Sequence, residues 1–235
     1  MSILFRIFNT PAFAIALTLV IYWLALHLHS RYPWANPLAS ASIALVLVLY
    51  VLHVPYDRYR VGGNLFSYLL GPATVALGVP MYKQAVKLKR SLRRLFLVVL
   101  AGSIAGMATS GLVAWLMGAP RDVVMSAIPK SVTTPIAIEV SKELQGDPTI
   151  TAALVLVSGL LGSIVGPAVL RMARILHEHA VGSAIGTSSH AIGTAALIRR
   201  SEAQGSVSSL AMAMAGVITS VLASLLTWYL HAKQG

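Results

Sequence analysis

Cysteine is absent from the 235 residues, which excludes disulfides, thiolate catalysis and cysteine-ligated zinc or iron–sulfur centres. Charge is also scarce. Only 11% of the residues are charged, and acids are the rarer sign, with 7 Asp and Glu against 18 Lys and Arg. Long polar stretches are missing, so no part reads as a separate soluble domain, and residues 1–235 read as one integral membrane domain. Hydrocarbon fills the rest: 57% of the residues are hydrophobic, mean hydropathy is +0.77, and several apolar runs approach the roughly 20 residues that a bilayer span needs. In lipid every backbone polar group must be satisfied inside the chain. The composition therefore predicts an all-α polytopic membrane protein, a helical bundle in the bilayer.

The formal charge of +11 does not point to nucleic acid. The basic residues sit in short connectors between apolar runs, as the positive-inside bias of membrane proteins requires. Six spans are expected: Pro11–Leu28, Leu38–Val54, Leu65–Met81, Leu95–Met117, Thr149–Leu170 and Val207–Leu230. The first run has no small-residue cleavage site behind it and is read as a retained helix. The third holds Gly71, Pro72 and Pro80 and is expected to be kinked or half a span. Lys83, Lys87, Lys89, Arg90, Arg93 and Arg94 mark the connector before the fourth span as cytoplasmic.

Two polar breaks interrupt the second half: Ser126-Ala-Ile-Pro-Lys-Ser-Val-Thr-Thr-Pro-Ile-Ala137 and Ser183-Ala-Ile-Gly-Thr-Ser-Ser-His-Ala-Ile-Gly-Thr194. Each carries helix breakers, Pro129 and Pro135 in one and Gly186 and Gly193 in the other, around a cluster of hydroxyls. Broken backbone at membrane depth is tolerated only where protein buries it or where it lines a wet cavity. Charge parity favours segments that dip in and return, since this keeps Arg171, Arg174, Arg199 and Arg200 on the cytoplasmic side. The two breaks then enter from opposite faces toward one midplane. They share Ser-Ala-Ile at 126 and 183 and Gln-Gly at 145 and 204, which suggests an inverted repeat of the secondary-transporter type.

A helix N-terminus exposes free N–H groups and attracts anions. Lys130 adds a full positive charge, and Ser131, Thr133, Thr134, Ser188, Ser189 and Thr194 add hydroxyl donors. Together they match a small carboxylate better than a cation. His190, with an ordinary pKa of about 6.5, is a proton-coupling candidate. Glu139 is a second, free to pair with Lys130 or His190 or to lie at the interface. His177-Glu-His179 is too thin a cluster for a metal site. Ser188, Ser189 and His190 are adjacent, where side chains tend to point apart, which disfavours a serine hydrolase. Neither an enzyme nor a cofactor is expected. Gly102-Ser-Ile-Ala-Gly106 and Gly159-Leu-Leu-Gly162 offer small-residue faces for helix association.

Leu70-Gly-Pro-Ala-Thr-Val-Ala-Leu-Gly-Val-Pro-Met-Tyr-Lys83, Pro129-Lys-Ser-Val-Thr-Thr-Pro-Ile-Ala137, Gly186-Thr-Ser-Ser-His-Ala-Ile-Gly-Thr-Ala195 and Gln204-Gly205 together resemble the LrgB/CidB family over nearly the whole chain. The resemblance implies a bacterial inner-membrane protein accompanied by a smaller LrgA/CidA-type membrane partner, and homo-oligomers. It implies two functions. One is movement of glycolate, glycerate or pyruvate, as in the plastid envelope relative and in bacterial ones. The other is the older antiholin-like role, modulation of murein hydrolase activity and autolysis. Lys130, Ser131, Thr133, Thr134, Ser189, His190 and Thr194 fall in the signature segments.

Overall fold

The computed structural model describes residues 10–32, 35–76, 82, 83, 86 and 89–232, which form helices and turns with no strand. The chain packs as two compact units, Met1–Ala76 and Leu77–Gly235. Among the described residues four helices are long and apolar enough to cross a membrane: Pro11–Arg31, Leu92–Leu116, Pro148–Met172 and Glu202–Ala232. These coincide with four of the six expected spans. The other two differ.

In the first unit, α1 (Pro11–Arg31) begins at a Thr10 cap with proline in its first turn, a position where the missing N–H costs nothing. α2 (Pro37–Val51) has 15 residues, about 22 Å of helix and short of a full crossing. Ile21, Ala25 and Ala41 seal α1 against α2. α3 (Tyr56–Ala76) starts nine residues before the expected Leu65, because it includes a charged first turn with Asp57 that hydropathy alone passes over. Gly71 and Pro72 do not break it; Pro72 lies inside a helix that runs on to Ala76, as neighbouring groups allow in membrane helices. Pro80, Lys87 and the end of the Leu65–Met81 run lie outside the described residues. Gly62 lets α3 approach α1 closely, since a Cβ there would stand 2.7 Å from Ala14 Cβ. The Thr18 and Tyr59 hydroxyls, 2.9 Å apart, tie the same pair of helices.

The second unit runs through a 3-10 turn at Lys89–Ser91, then α4 (Leu92–Leu116), α5 (Arg121–Ala127), α6 (Thr134–Glu143), α7 (Pro148–Met172), α8 (Glu178–Ile198) and α9 (Glu202–Ala232). α7 is the post around which it is built. Asp147 caps it, accepting from the Thr149 and Ile150 amides at 2.6 and 3.1 Å. Those amides hold the carboxyl below its usual range.

Near this cap, the first break enters and returns at one level. The Ser126 hydroxyl accepts from the Asp147 amide at 2.7 Å, and Thr151 Oγ1 lies 2.6 Å from Ser141 Oγ and 3.2 Å from the Ser126 carbonyl. Ser126 belongs to α5 and Ser141 to α6, so these two short helices form a re-entrant hairpin with its mouth at the start of α7. One turn deeper, Val155 buries against Val132 and Ala137 at the hairpin's tip.

The second hairpin is α8 itself. Along α7, Gly166, Gly162 and Gly159 face Ile185, Ser189 and His190 in turn, so the first half of α8 runs antiparallel to α7. At His190 the backbone leaves the helix, with φ 38° and ψ −136°. It then turns back, bringing Leu197 beside Val181 and against Leu170. This mouth lies at the opposite end of α7. The breaks thus enter from opposite ends and meet midway, as charge parity predicts. The register that aligns Ser126 with Ser183 also aligns Thr133 with His190, the residues at which each hairpin reverses. Beyond the second tip, the Thr194 and Ser208 hydroxyls lie 2.8 Å apart.

A Cβ on Gly146 would stand 2.7 Å from the Ser126 amide nitrogen, a backbone atom that cannot rotate away. Gly146→Ala is therefore expected to destabilise the folded protein by about 1–3 kcal/mol, read as a lower thermal midpoint in detergent. An unchanged midpoint would show that the mouth of the first hairpin is not closely packed.

Candidate functional site

The first tip closes at the start of α6. Pro135 stands in its first turn, where a missing N–H costs nothing. Thr133, at the cap position two residues before the proline, is extended, at φ −63° and ψ 145°, and its side chain does not cap α6. Its Oγ1 is buried without a hydrogen-bond partner. The free first-turn amides of α6 present the positive end of that helix at the tip. Lys130 is half-buried beside them, with Nζ 3.5 Å from Ser131 Oγ and no carboxylate partner among the described residues. An ammonium in such a place needs an anion or water to complete its solvation.

Glu139 does not provide that anion. It pairs with Lys142 at 2.7 Å, with the side chains 72% and 54% exposed. One turn of helix carries it away from Lys130 and His190, so its reading as a proton-coupling group is corrected.

The second tip is set by His190 and not by the glycines expected to break it. Gly186 and Gly193 lie within the helical halves of α8, where they permit close approach. A Cβ on Gly186 would stand 2.9 Å from Ser208 Cα, and one on Gly193 2.5 Å from Ser189 Cβ. His190 takes the positive φ instead, a conformation that costs a non-glycine residue about 1–3 kcal/mol. Burial holds it there, at 3% exposure, together with a contact of 2.9 Å between Nε2 and the Val155 carbonyl. A carbonyl only accepts, so Nε2 carries a proton, and in the neutral form of the ring Nδ1 is the acceptor.

The structure sorts the other expected residues. Lys130, Ser131, Thr133, Thr134 and His190 gather at the tips. Ser188 is exposed and bonds back to the Ala184 carbonyl at 2.8 Å, with Ser189 Oγ at 3.0 Å. Ser189 is fully buried against Gly162. Thr194 is consumed by Ser208, which makes it a structural hydroxyl.

Two neighbours join the tips. Val155 packs its side chain on the first and offers its carbonyl to the second. On α4, Gly102 faces Thr187 and Gly106, one turn on, faces Ser131: Cβ atoms there would lie 3.1 Å from Thr187 Cγ2 and 3.7 Å from Ser131 Oγ. The chain's own hairpins thus pack on both small-residue pairs, with Gly159 buried and Gly102 still exposed.

Two residues escaped the sequence reading. Thr187 and Ser103 are 8% and 5% exposed, and neither hydroxyl has a partner, a state that costs about 1–3 kcal/mol each unless something fills it. The repeat register holds a signal for Thr187, since it stands opposite Lys130. Ser103 is hidden inside a motif that reads as helix packing. A further unpartnered hydroxyl, Thr227, lies elsewhere, in a small polar crevice with Arg121, Glu143 and His231.

Residues 18–229 match the LrgB-like family. An uncharacterized protein of Haemophilus influenzae is 37% identical over 211 residues, 88% of this chain and 90% of the relative. YwbG of Bacillus subtilis, also uncharacterized, is 37% identical over 212 residues, 89% and 94% of the two chains. A Staphylococcus aureus protein named holin-like protein CidB is 35% identical over 214 residues, 90% and 93%. No solved structure matches. The matched stretch includes both hairpins and the α4 and α7 seams that join them, and on this ground the chain belongs to the LrgB-like family.

Proposed function

We propose that this chain, a membrane protein of the holin-like LrgB type, carries small monocarboxylates of the glycolate, glycerate or pyruvate class across the bacterial cytoplasmic membrane, together with a small LrgA/CidA-type subunit. One observation carries the reading: two re-entrant hairpins from opposite ends of α7 meet at Val155, and the ammonium of Lys130 on the first has no carboxylate partner among the described residues. A carboxylate between the tips takes the Lys130 charge, the first-turn amides of α6 and the Thr133 hydroxyl. The neutral His190 ring, with Nε2–H held by Val155, accepts a coupling proton at Nδ1. Since each hairpin opens to a different end, movement of either against α7 exposes the site to one side at a time. The carrier reading needs no covalent step, and it is supported by the Ser188 and Ser189 hydroxyls bonding each other at 3.0 Å and not the His190 ring, whose Nε2 meets a carbonyl.

The names of the staphylococcal relatives favour a second reading, a holin- or antiholin-like modulator of murein hydrolase activity and autolysis. On that reading Lys130 has no assigned task.

In proteoliposomes containing this chain and its small partner, the carrier reading predicts saturable uptake of labelled glycolate or pyruvate. Lys130→Ala is expected to lower that uptake by about tenfold or more, as loss of a charge-assisted contact implies, with the thermal midpoint unchanged. Uptake that survives Lys130→Ala would remove the anion site. Release of a large entrapped dye without saturation would support the holin-like reading.

Uptake by the wild type is expected to rise as the external pH falls. In His190→Gln that dependence flattens, because Gln cannot take the coupling proton; a profile identical to wild type would exclude the ring from coupling.

A further inference from the structure

The hydroxyls of Ser103 and Thr187 stand apart from the others in the same helices. On α4, Thr109 and Ser110 bond back to the carbonyls of Ala105 and Gly106 at 2.7 and 2.6 Å. On α8, Ser183 and Ser188 do the same toward Ala180 and Ala184 at 3.1 and 2.8 Å. This is the ordinary way a helical hydroxyl satisfies itself in lipid. Ser103 and Thr187 are buried, as Ser110 and Ser183 are, and make no such bond.

Their place is specific. Thr187 packs on Gly102, Ser103 follows it in the chain, and Gly106 faces Ser131, the neighbour of Lys130. The Thr187 methyl is the group that meets Gly102, so the two residues stand at the α4–α8 seam, and along α4 one helical turn, about 5–6 Å, separates Gly102 from Gly106. An acid of two or three carbons whose carboxylate sits at Lys130 can extend its substituent along α4 toward that seam. A hydroxyl both donates and accepts, so the pair matches a hydroxyl or oxo substituent on the carbon next to the carboxylate. A plain alkyl acid leaves both unpaired and buried.

We infer that Ser103 and Thr187 are specificity-determining residues, a neutral subsite that reads the polar substituent of a 2-hydroxy or 2-oxo monocarboxylate and discriminates against the unsubstituted acid. The inference rests on the carrier reading. It adds to it the residues that choose among carboxylates, as distinct from the cationic tip that holds any of them.

The test is competition against labelled glycolate uptake by the full chain with its small partner, at equal pH on both sides of the vesicle. Unlabelled glycolate and acetate, which differ only by the hydroxyl, are the competitors. For the wild type the half-inhibitory concentration of acetate is expected to exceed that of glycolate by about tenfold or more, as one or two buried hydrogen bonds imply. Thr187→Val keeps the side-chain shape and Ser103→Ala removes only an oxygen. Each is expected to shrink the ratio about fivefold, by weakening glycolate while acetate stays where it was, and Thr187→Ser is expected to restore it. A ratio unchanged in both variants overturns the inference and leaves the hydroxyls as ligands of buried water. Glycolate uptake that does not saturate in the wild type overturns the carrier reading itself.

Discussion

Everything in the second unit depends on one constraint, that a backbone broken inside a bilayer must find its partners within the protein. α7 meets this constraint for both breaks. Its cap and first turn hold the mouth of one hairpin through Asp147 and Thr151. Its glycines at 159, 162 and 166 let the other lie almost on its backbone. Val155 serves both tips, by side chain and by carbonyl. Small residues are what make this possible, since without a hydrophobic force between helices in lipid, association relies on close packing and on polar contacts.

The site formed in this way is a place of incomplete satisfaction. His190 holds a backbone conformation suited to glycine, Lys130 lacks a counter-charge among the described residues, and Thr133, Thr187 and Ser103 each bury an unpartnered hydroxyl. Away from the tips, most hydroxyls of the same helices are satisfied locally. Strain and unmet polarity concentrated in one region, inside a frame that is otherwise closely packed, are what a ligand site requires. The same features explain why the structural hydroxyls, Thr194 with Ser208 and Thr151 with Ser141, sit one step back from the tips. There they fix the hairpins in place.

The two hairpins are alike in design and unlike in chemistry. The same register places Thr133 against His190 and Lys130 against Thr187, so one copy supplies the cation and the other the titratable ring and a neutral hydroxyl. Two segments alike in backbone design and unlike in side chains give an asymmetric site from two similar halves.

The sequence by itself determined the solvent of this protein, the four long spans, the two breaks and, through the placement of arginines, that each break returns to the side from which it came. These properties are carried by composition and by local backbone preferences, which act over a few residues and need no partner. Tertiary structure decided the rest. Whether a glycine breaks a helix or admits a neighbour depends on what lies against it, so Gly186 and Gly193 were misread while His190 took the turn. Whether Glu139 meets Lys130 or Lys142 depends on one turn of helix and on which face is buried. Whether a hydroxyl is spent, as at Thr194, or left open, as at Thr187 and Ser103, depends on atoms distant in the chain. Only packing brings those together.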